Sequence, residues 1–277
     1  MCPTGVGAVH REKGFMSNDT FIRIMNDLKG HQLGLRFIRW GEPTLHPDFV
    51  NLIKVAKENG HLCHLNTNGT FLTDSLIKQI LASGLDSIKF SFQGIDKKSY
   101  EEMRQGADFD KFIENIKQMF ALRMENGIYM HIATTVTYET NVQVDAFKNA
   151  MSAMCDLVTV GRTKLDHIDI QPTRLTEEQK KVFSQLKKKQ SLVKKRLLHC
   201  PEVFGKLSVD WDGQVSACCQ DYDRKMIVGN IHNNTLLEIF NNEKILKYRE
   251  LLLERKFHKI SLCNECYDYM SIQNRGN

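Results

Sequence analysis

Short β-rich runs alternate with longer amphipathic stretches over residues 1 to about 160, and this alternation limits the fold more than any other feature of the chain. The pattern is typical of successive strand-helix units on a parallel sheet. Gly30, Gly60, Gly84 and Gly127 fall where helices should end, as C-cap chemistry favours. We predict five strands, each rich in β-branched or aromatic residues: Leu35–Trp40, His61–Asn66, Ser87–Phe92, Tyr129–Val136 and Leu157–Val160.

Polar residues follow four of these strands at their carboxyl ends, where parallel α/β folds bind ligands. The first strand leads into Gly41-Glu42-Pro43, where a glycine allows close backbone approach and a carboxylate is available. Each of these short motifs is also ordinary turn chemistry, so the prediction of a site depends on their shared location. The candidate residues are Gly41, Glu42, Asn68, Ser91, Gln93, Thr134, Thr135 and Thr137.

Four cysteines in the C-terminal part have the spacing of metal ligands. Cys263 and Cys266 form a C-x-x-C pair, which in an intracellular chain of this size indicates metal ligation rather than a disulfide. A hairpin with its turn at Asp212-Gly213 would return Cys218 towards Cys200. Four thiolates suit zinc as well as iron, and the residues alone leave both open.

Composition places the chain among globular proteins, with 42% hydrophobic and 26% charged residues and a net charge of +5. Much of the positive excess lies in Lys180–Arg196, which lacks the interleaved aromatics of a single-strand-binding groove, so nucleic acid is not an expected partner. This stretch also marks a predicted boundary between two domains, 1–195 and 196–277. No window has the ~20 apolar residues of a membrane helix, and the N-terminus has no apolar signal core; both predict a cytoplasmic protein.

The N-terminal Met1-Cys2-Pro3, followed by a polar loop and a helix, resembles the end of the C-x3-C-x2-C-P loop of radical S-adenosylmethionine (radical SAM) enzymes. Gly41-Glu42-Pro43 resembles the motif that ends their next strand. In that family three thiolates bind a 4Fe-4S cluster, and SAM coordinates its open iron and is cleaved to a 5'-deoxyadenosyl radical. The resemblance implies that Cys2 is a cluster ligand and a catalytic residue. It implies the following residues at the SAM site: Gly41, Glu42, Asn68, Ser91, Gln93 and Thr135.

In this resemblance the first two cysteines and the first barrel strand would lie upstream of Met1. We therefore expect an N-terminally truncated chain that is inactive as it stands. The implied fold class is α/β, a partial (β/α) barrel of radical SAM type missing its first strand, with a small C-terminal Cys-rich β-hairpin/α domain. The sheet should have five strands, with Leu35–Trp40 at an unpaired edge. Cys63 and Cys155 are expected to be small buried residues rather than ligands.

The C-terminal part resembles the SPASM type of auxiliary-cluster domain, in its shortened twitch form. The resemblance lies in the glycine that is followed after four residues by Cys218, and in final cysteines too few for two clusters. It implies that Cys200, Cys218, Cys263 and Cys266 hold an auxiliary 4Fe-4S cluster rather than zinc. Cys219 is an alternative ligand to Cys218.

These resemblances imply a radical SAM oxidoreductase, or a peptide- and small-molecule-modifying enzyme, whose auxiliary cluster transfers electrons. The implied partners are a small-molecule or peptide substrate and a flavodoxin or ferredoxin as electron donor. The alternatives are a non-catalytic metal-cluster protein and a zinc-stabilised interaction module. Arg104, Arg162 and Asp169 are candidates for binding substrate, and Arg104 also for binding a SAM carboxylate, although exposed surface charge explains all three equally well.

Overall fold

The structure is a computed structural model that describes residues 2–104, 106–123, 127–137, 139–163, 169–171, 173, 175–191, 200–264 and 266. The chain divides into two compact units, and each is described by itself. One unit comprises Leu28–Thr163; the other combines Met1–Asp27 with Lys164–Asn277. The domain boundary predicted at 195 and 196 lies outside the described residues and stays a prediction.

The Leu28–Thr163 unit is built on a five-stranded, wholly parallel sheet in the order β1-β2-β3-β4-β5. This confirms the predicted five strands in one open sheet. Among the described residues, no strand pairs with the outer side of β1, which is the predicted edge. The first strand is shorter than predicted, because the chain bends after Phe37. The bounds are β1 Gly34–Phe37, β2 Leu62–Thr67, β3 Ser87–Ser91, β4 Tyr129–Val136 and β5 Leu157–Arg162.

Helices connect each strand to its parallel neighbour, as a parallel pair requires. Side-chain oxygens cap the starts of four of these five helices. Thr140, for example, forms a reciprocal capping box with Gln143 at the start of α6. Gly60 follows α2 with φ +82°, a conformation that favours glycine, and the other three glycines predicted at helix ends also have positive φ. The helices are α2 Phe49–Glu58, α3 Asp74–Leu81, α4 Lys97–Met103, α5 Phe109–Leu122 and α6 Asn141–Ser152.

One face of the sheet is apolar and packs against these helices. Phe90 of β3 meets Phe112 of α5 edge to face, with ring centroids 6.1 Å apart, and Phe37 of β1 meets Phe49 of α2 in the same way at 5.7 Å. Alternate residues of the strands point to the opposite face. We call this opposite side the polar face; its polar side chains are Arg36, His64, Asn66, Ser87, Lys89, Ser91, Gln93, His131, Thr135 and Thr159.

The other unit contains a three-stranded antiparallel sheet in the order β6-β7-β8. The hairpin between β6 and β7 turns at Gly213, with φ +80° and a hydrogen bond of 3.0 Å from its N–H to the carbonyl of Asp210, which confirms the predicted hairpin. The elements are α1 Asn18–Asp27, α7 Glu177–Ser191, α8 Pro201–Gly205, β6 Ser208–Val209, β7 Gln214–Ser216, β8 Ile227–Asn230, α9 Leu236–Phe240, α10 Glu243–Leu253 and α11 Ser261–Asn264.

Residues 2–27 pack on this hairpin, a contact that the sequence did not predict. The Arg11 guanidinium lies 2.9 Å from the Asp210 carboxylate, whose side chain is fully buried. The N–H of His10 donates to Asp223 at 2.8 Å, and the N–H of Leu236 donates to Asp27 at 2.9 Å. The same carboxylate also pairs with Arg224 at 3.2 Å, so Arg11 joins the N-terminal segment to a buried ion-pair network.

No helix in the described part of the chain is long and apolar enough to cross a membrane.

The aromatic contacts of Phe112 make it a sensitive test of the apolar side of the sheet. Phe112 is 2% exposed and also stacks on Tyr100 at 5.1 Å. We expect Phe112→Ala to destabilise the protein by about 3–5 kcal/mol, because it removes these contacts and leaves a cavity. Phe71→Ala is the matched control, since Phe71 is 48% exposed. Thermal denaturation should give a large drop in Tm for the first variant only; equal shifts would contradict the packing described.

Candidate functional site at the carboxyl ends of the strands

Glu42 links the carboxyl ends of β1 and β2. Its Oε1 accepts hydrogen bonds from the hydroxyls of Thr44 and Thr67, each at 2.7 Å, and from the N–H of Thr44 at 3.2 Å. Its Oε2 accepts from the N–H of Asn68 at 2.7 Å. The carboxylate therefore positions both strand ends, and Gly41 beside it is exposed, with open space where a Cβ would be. A ligand that approaches here would meet the backbone of Gly41.

Asn68 belongs to the turn that follows β2. Its side-chain oxygen accepts from the N–H of Thr70 at 2.9 Å and from the Thr70 hydroxyl at 2.6 Å, a typical Asx turn. Gly69 adopts φ +73°, and a Cβ there would lie 2.6 Å from the Phe112 ring. These contacts match the turn chemistry that the sequence also allowed, so a ligand-binding role for Asn68 stays a prediction.

Ser91, Gln93 and Thr135 continue the polar face to the carboxyl ends of β3 and β4. The N–H of Gly94 donates to the carbonyl of Thr135 at 3.4 Å, which extends the pairing of the two strands past Ser91. All three side chains are half-buried, and none has a side-chain hydrogen-bond partner among the described residues. Half-buried polar groups without partners are suited to binding a ligand.

Three charged residues predicted as substrate contacts occupy different settings. The Arg104 guanidinium donates to the carbonyl of Ser91 and lies over the Tyr100 ring at 5.7 Å, so it holds the end of β3 in place. Arg162 is the last residue of β5 and is exposed. Asp169 is exposed and accepts a hydrogen bond from the N–H of Gln171 at 3.1 Å.

Two histidines hydrogen-bond within the polar face. The ring nitrogens of His64 lie 2.7 Å from Ser87 Oγ and 2.7 Å from Asn66 Oδ1. His131 Nε2 lies 2.7 Å from Thr159 Oγ1. Burial lowers the pKa of both histidines; the charges of Lys89 and His64 add to this for His131, whose pKa falls to about 4. Both imidazoles are therefore neutral near pH 7.

This histidine pair and Lys89 were not predicted from the sequence. The alternation of polar and apolar residues in HLCHLN and YMHIATTV is the signal that would place the two histidines on one face of the sheet, because every second residue of a strand shares one face.

Cys2 lies at the start of a tight N-terminal turn and is exposed. The N–H of Val6 donates to its carbonyl at 3.2 Å, and the N–H of Ala8 donates to the carbonyl of Pro3 at 2.8 Å. Cys63 and Cys155 are buried, as expected. Burial raises the pKa of Cys63 to about 11, which opposes the thiolate form that a metal ligand needs.

The C-terminal cysteines lie on three separate segments. Cys200 caps the start of α8, Cys218 and Cys219 follow β7, and Cys263 lies in α11, where its carbonyl accepts from the N–H of Cys266 at 3.3 Å. Cys219 is exposed, whereas the other four are partly buried.

Several of these thiols interact electrostatically. A hydrogen bond to Cys219, burial and the nearby Cys263 raise the pKa of Cys218, and burial raises the pKa of Cys200, with Cys219 close enough to contribute. Such a group of thiols disfavours several negative charges unless a cation binds between them, which fits a thiolate-ligated metal centre. Within the described residues no three His, Cys, Asp or Glu side chains form a ready metal site, so the ligand set Cys200, Cys218, Cys263 and Cys266 stays a prediction.

Comparison with protein families shows which family the chain belongs to. The model of the radical SAM superfamily matches residues 1–151, more than half of the chain. The chain belongs to the radical SAM superfamily. A second model, of the SPASM iron-sulfur cluster-binding domain, matches residues 200–267. The protein therefore belongs to an enzyme family. The cofactors of that family are 4Fe-4S clusters and SAM.

Solved structures with the same fold cover nearly all of the chain. BtrN in complex with AdoMet and 2-DOIA aligns with a TM-score of 0.61 and 18% identity over 98% of this chain and 91% of that one. The anSMEcpe protein with bound AdoMet aligns with a TM-score of 0.64 and 16% identity over 92% and 77% of the two chains. These alignments confirm the predicted fold class.

Curated relatives match a shorter part. A cofactor-modifying protein of tungsten-containing aldehyde ferredoxin oxidoreductase from Pyrococcus furiosus is 36% identical over 83 residues, which are 29% of this chain and 23% of the relative. A probable GTP 3',8-cyclase from Saccharolobus islandicus is 30% identical over 103 residues, 37% of this chain and 33% of the relative. The chain thus matches a third or less of the length of these relatives.

Titration of His131 tests the electrostatics of the polar face. We expect its imidazole to titrate at about 4, below the ordinary value of about 6.5. Because the unfolded chain then binds the proton more readily, neutral His131 contributes stability that is present above pH 6.5 and lost as the pH falls towards 4. Lys89→Met should raise this pKa, since it removes a nearby positive charge. Ring-proton NMR measures it, with His131→Gln for assignment.

Lys54→Met is the matched control for that titration, because Lys54 is exposed on α2. A wild-type value near 6.5, or the same response to both lysine variants, would contradict the description.

Proposed function

We propose that the protein is a radical SAM oxidoreductase or modifying enzyme that removes a hydrogen atom from a small-molecule or peptide substrate. The observation that carries this proposal is a set of three side chains at the carboxyl ends of β3 and β4, Ser91, Gln93 and Thr135, which have no side-chain hydrogen-bond partner among the described residues, in a chain of the radical SAM superfamily. Ligands of parallel α/β folds bind at this end of the strands.

The residues of this end have separate roles in the proposal. The ribose or carboxylate of SAM forms hydrogen bonds with the hydroxyls of Ser91 and Thr135 and with the side-chain amide of Gln93. Glu42 fixes the ends of β1 and β2, so that the backbone beside Gly41 faces the SAM amino group. Arg104 is a positioning residue, because its bond to the Ser91 carbonyl orients the end of β3. Cys2 would be one ligand of the SAM cluster, and the bound cluster and SAM would supply the radical chemistry that removes the substrate hydrogen.

The C-terminal region has a second role. Cys200, Cys218, Cys263 and Cys266 hold an auxiliary 4Fe-4S cluster, and four thiolates leave no iron open to substrate, which suits electron transfer. Cys218 is preferred to Cys219 because Cys219 is exposed. The electron donor is a flavodoxin or ferredoxin, and the protein works in the cytoplasm, where thiols stay reduced. A neighbour of the same fold, SuiB of Streptococcus suis, was solved with the precursor peptide SuiA, which supports including peptides among the substrates.

Affinity for SAM tests the proposed site directly. We expect the anaerobically reconstituted protein to bind SAM in equilibrium dialysis, and Gln93→Leu to weaken that binding about three- to tenfold, the effect of losing a hydrogen bond of about 1 kcal/mol. Gln79→Leu is the control, because Gln79 is exposed on α3.

Two results would contradict the proposed SAM site. Failure of the wild-type protein to bind SAM would favour a non-catalytic cluster protein. Equal affinity of the two glutamine variants would remove Gln93 from the SAM site.

A further inference from the structure

The polar face holds two cations that have no ion pair with any residue that the structure describes. Arg36 of β1 lies beside His64 of β2 in the strand register, and Lys89 of β3 lies between Asn66 and His131. Arg36 is close enough to lower the pKa of Lys89, although burial is the larger cause. In the described part of the chain neither cation has a hydrogen bond or an ion pair. The two positive charges therefore repel each other without compensation.

Two other partly buried cations of the same unit pair with carboxylates. Lys57 lies 2.8 and 2.7 Å from the two carboxylate oxygens of Asp86, and Arg123 pairs with Asp156. Half-burying a cation costs free energy unless an anion or hydrogen-bond acceptors compensate it. In the described part of the chain Lys89 has no such partner, and binding sites retain cations of this kind for a ligand.

Neutral hydrogen-bonding groups surround the two cations. The imidazoles of His64 and His131 flank Lys89 and bond to Ser87, Asn66 and Thr159. Neutral imidazoles add no charge, and their hydrogen bonds to neighbouring residues fix their orientation. Arg36 is exposed and Lys89 is half-buried, so the two cations offer an oxyanion one accessible and one partly desolvated partner.

We propose that Arg36 and Lys89 on the polar face bind a phosphate or carboxylate group of the substrate. This inference deepens the proposed function and rests on it, because it takes the bound anionic group to belong to the substrate. Lys89 precedes Ser91 by two residues, so the site lies about 7 Å further along β3, towards the amino ends of the strands. The substrate is therefore an anionic molecule. Its charged group lies closer to the amino ends of the strands than the proposed SAM site does.

Pyridoxal phosphate is a suitable probe, because it carries an aldehyde and a phosphate on one small ring. The Lys89 amine condenses with the aldehyde to an imine and releases water, and borohydride then reduces the imine to a stable secondary amine. Peptide mapping by mass spectrometry locates the label. Pyridoxal, which lacks the phosphate, is the matched probe. The experiment uses the full chain without SAM or an electron donor, so its outcome is separate from that of the SAM-binding test.

We expect the preference for pyridoxal phosphate over pyridoxal to be about tenfold larger at Lys89 than at exposed Lys78, because one charge-assisted hydrogen bond contributes about 1.4 kcal/mol. Lys78 gives the reference ratio, since pyridoxal closes to an internal hemiacetal and reacts more slowly with every amine. Arg36→Gln should abolish most of that preference, whereas Lys54→Gln, which removes one charge from exposed α2, should leave it unchanged. Competition by inorganic phosphate would identify a phosphate site, and competition by succinate a carboxylate site.

Three results would overturn the proposal. They are the same preference for pyridoxal phosphate at Lys89 as at Lys78, no labelling of Lys89, and labelling that neither phosphate nor succinate reduces.

Discussion

A parallel sheet with helices packed on one side leaves alternate side chains of every strand on the other side, and this constraint underlies the whole candidate site. In the Leu28–Thr163 unit the helix side holds the aromatic cluster around Phe92 and Phe112. The opposite positions then need no apolar side chain, so they carry histidines, lysine, serine and threonine. The same strands thus supply a rigid core on one face and ligand-binding chemistry on the other.

Much of this fold was predictable from the sequence. Strand runs and helix-ending glycines depend on local preferences, and the structure follows them in the five parallel strands and the hairpin at Gly213. The carboxyl ends of the strands were predicted as the site for the same reason, because polar residues follow four of the five strands in the sequence.

The rest depended on contacts between distant residues. The sequence offered Glu42 as a free carboxylate, but hydrogen bonds from Thr44, Thr67 and Asn68 engage it. The register of the strands, which places Arg36 near Lys89, cannot be read from either strand alone. Nor does any local signal show that residues 2–27 join the C-terminal hairpin through Arg11 and the buried Asp210. That contact puts the loop of Cys2 and the C-terminal cysteines in one compact unit.

The iron and acid-labile sulfide content of protein purified without oxygen decides whether the C-terminal cysteines hold an iron-sulfur cluster. The account predicts at least about four irons and four sulfides per chain. Cys218→Ser should lose four of each, whereas Cys219→Ser should retain them. Zinc without sulfide, or equal loss in the two variants, would contradict an auxiliary iron-sulfur cluster held by Cys200, Cys218, Cys263 and Cys266.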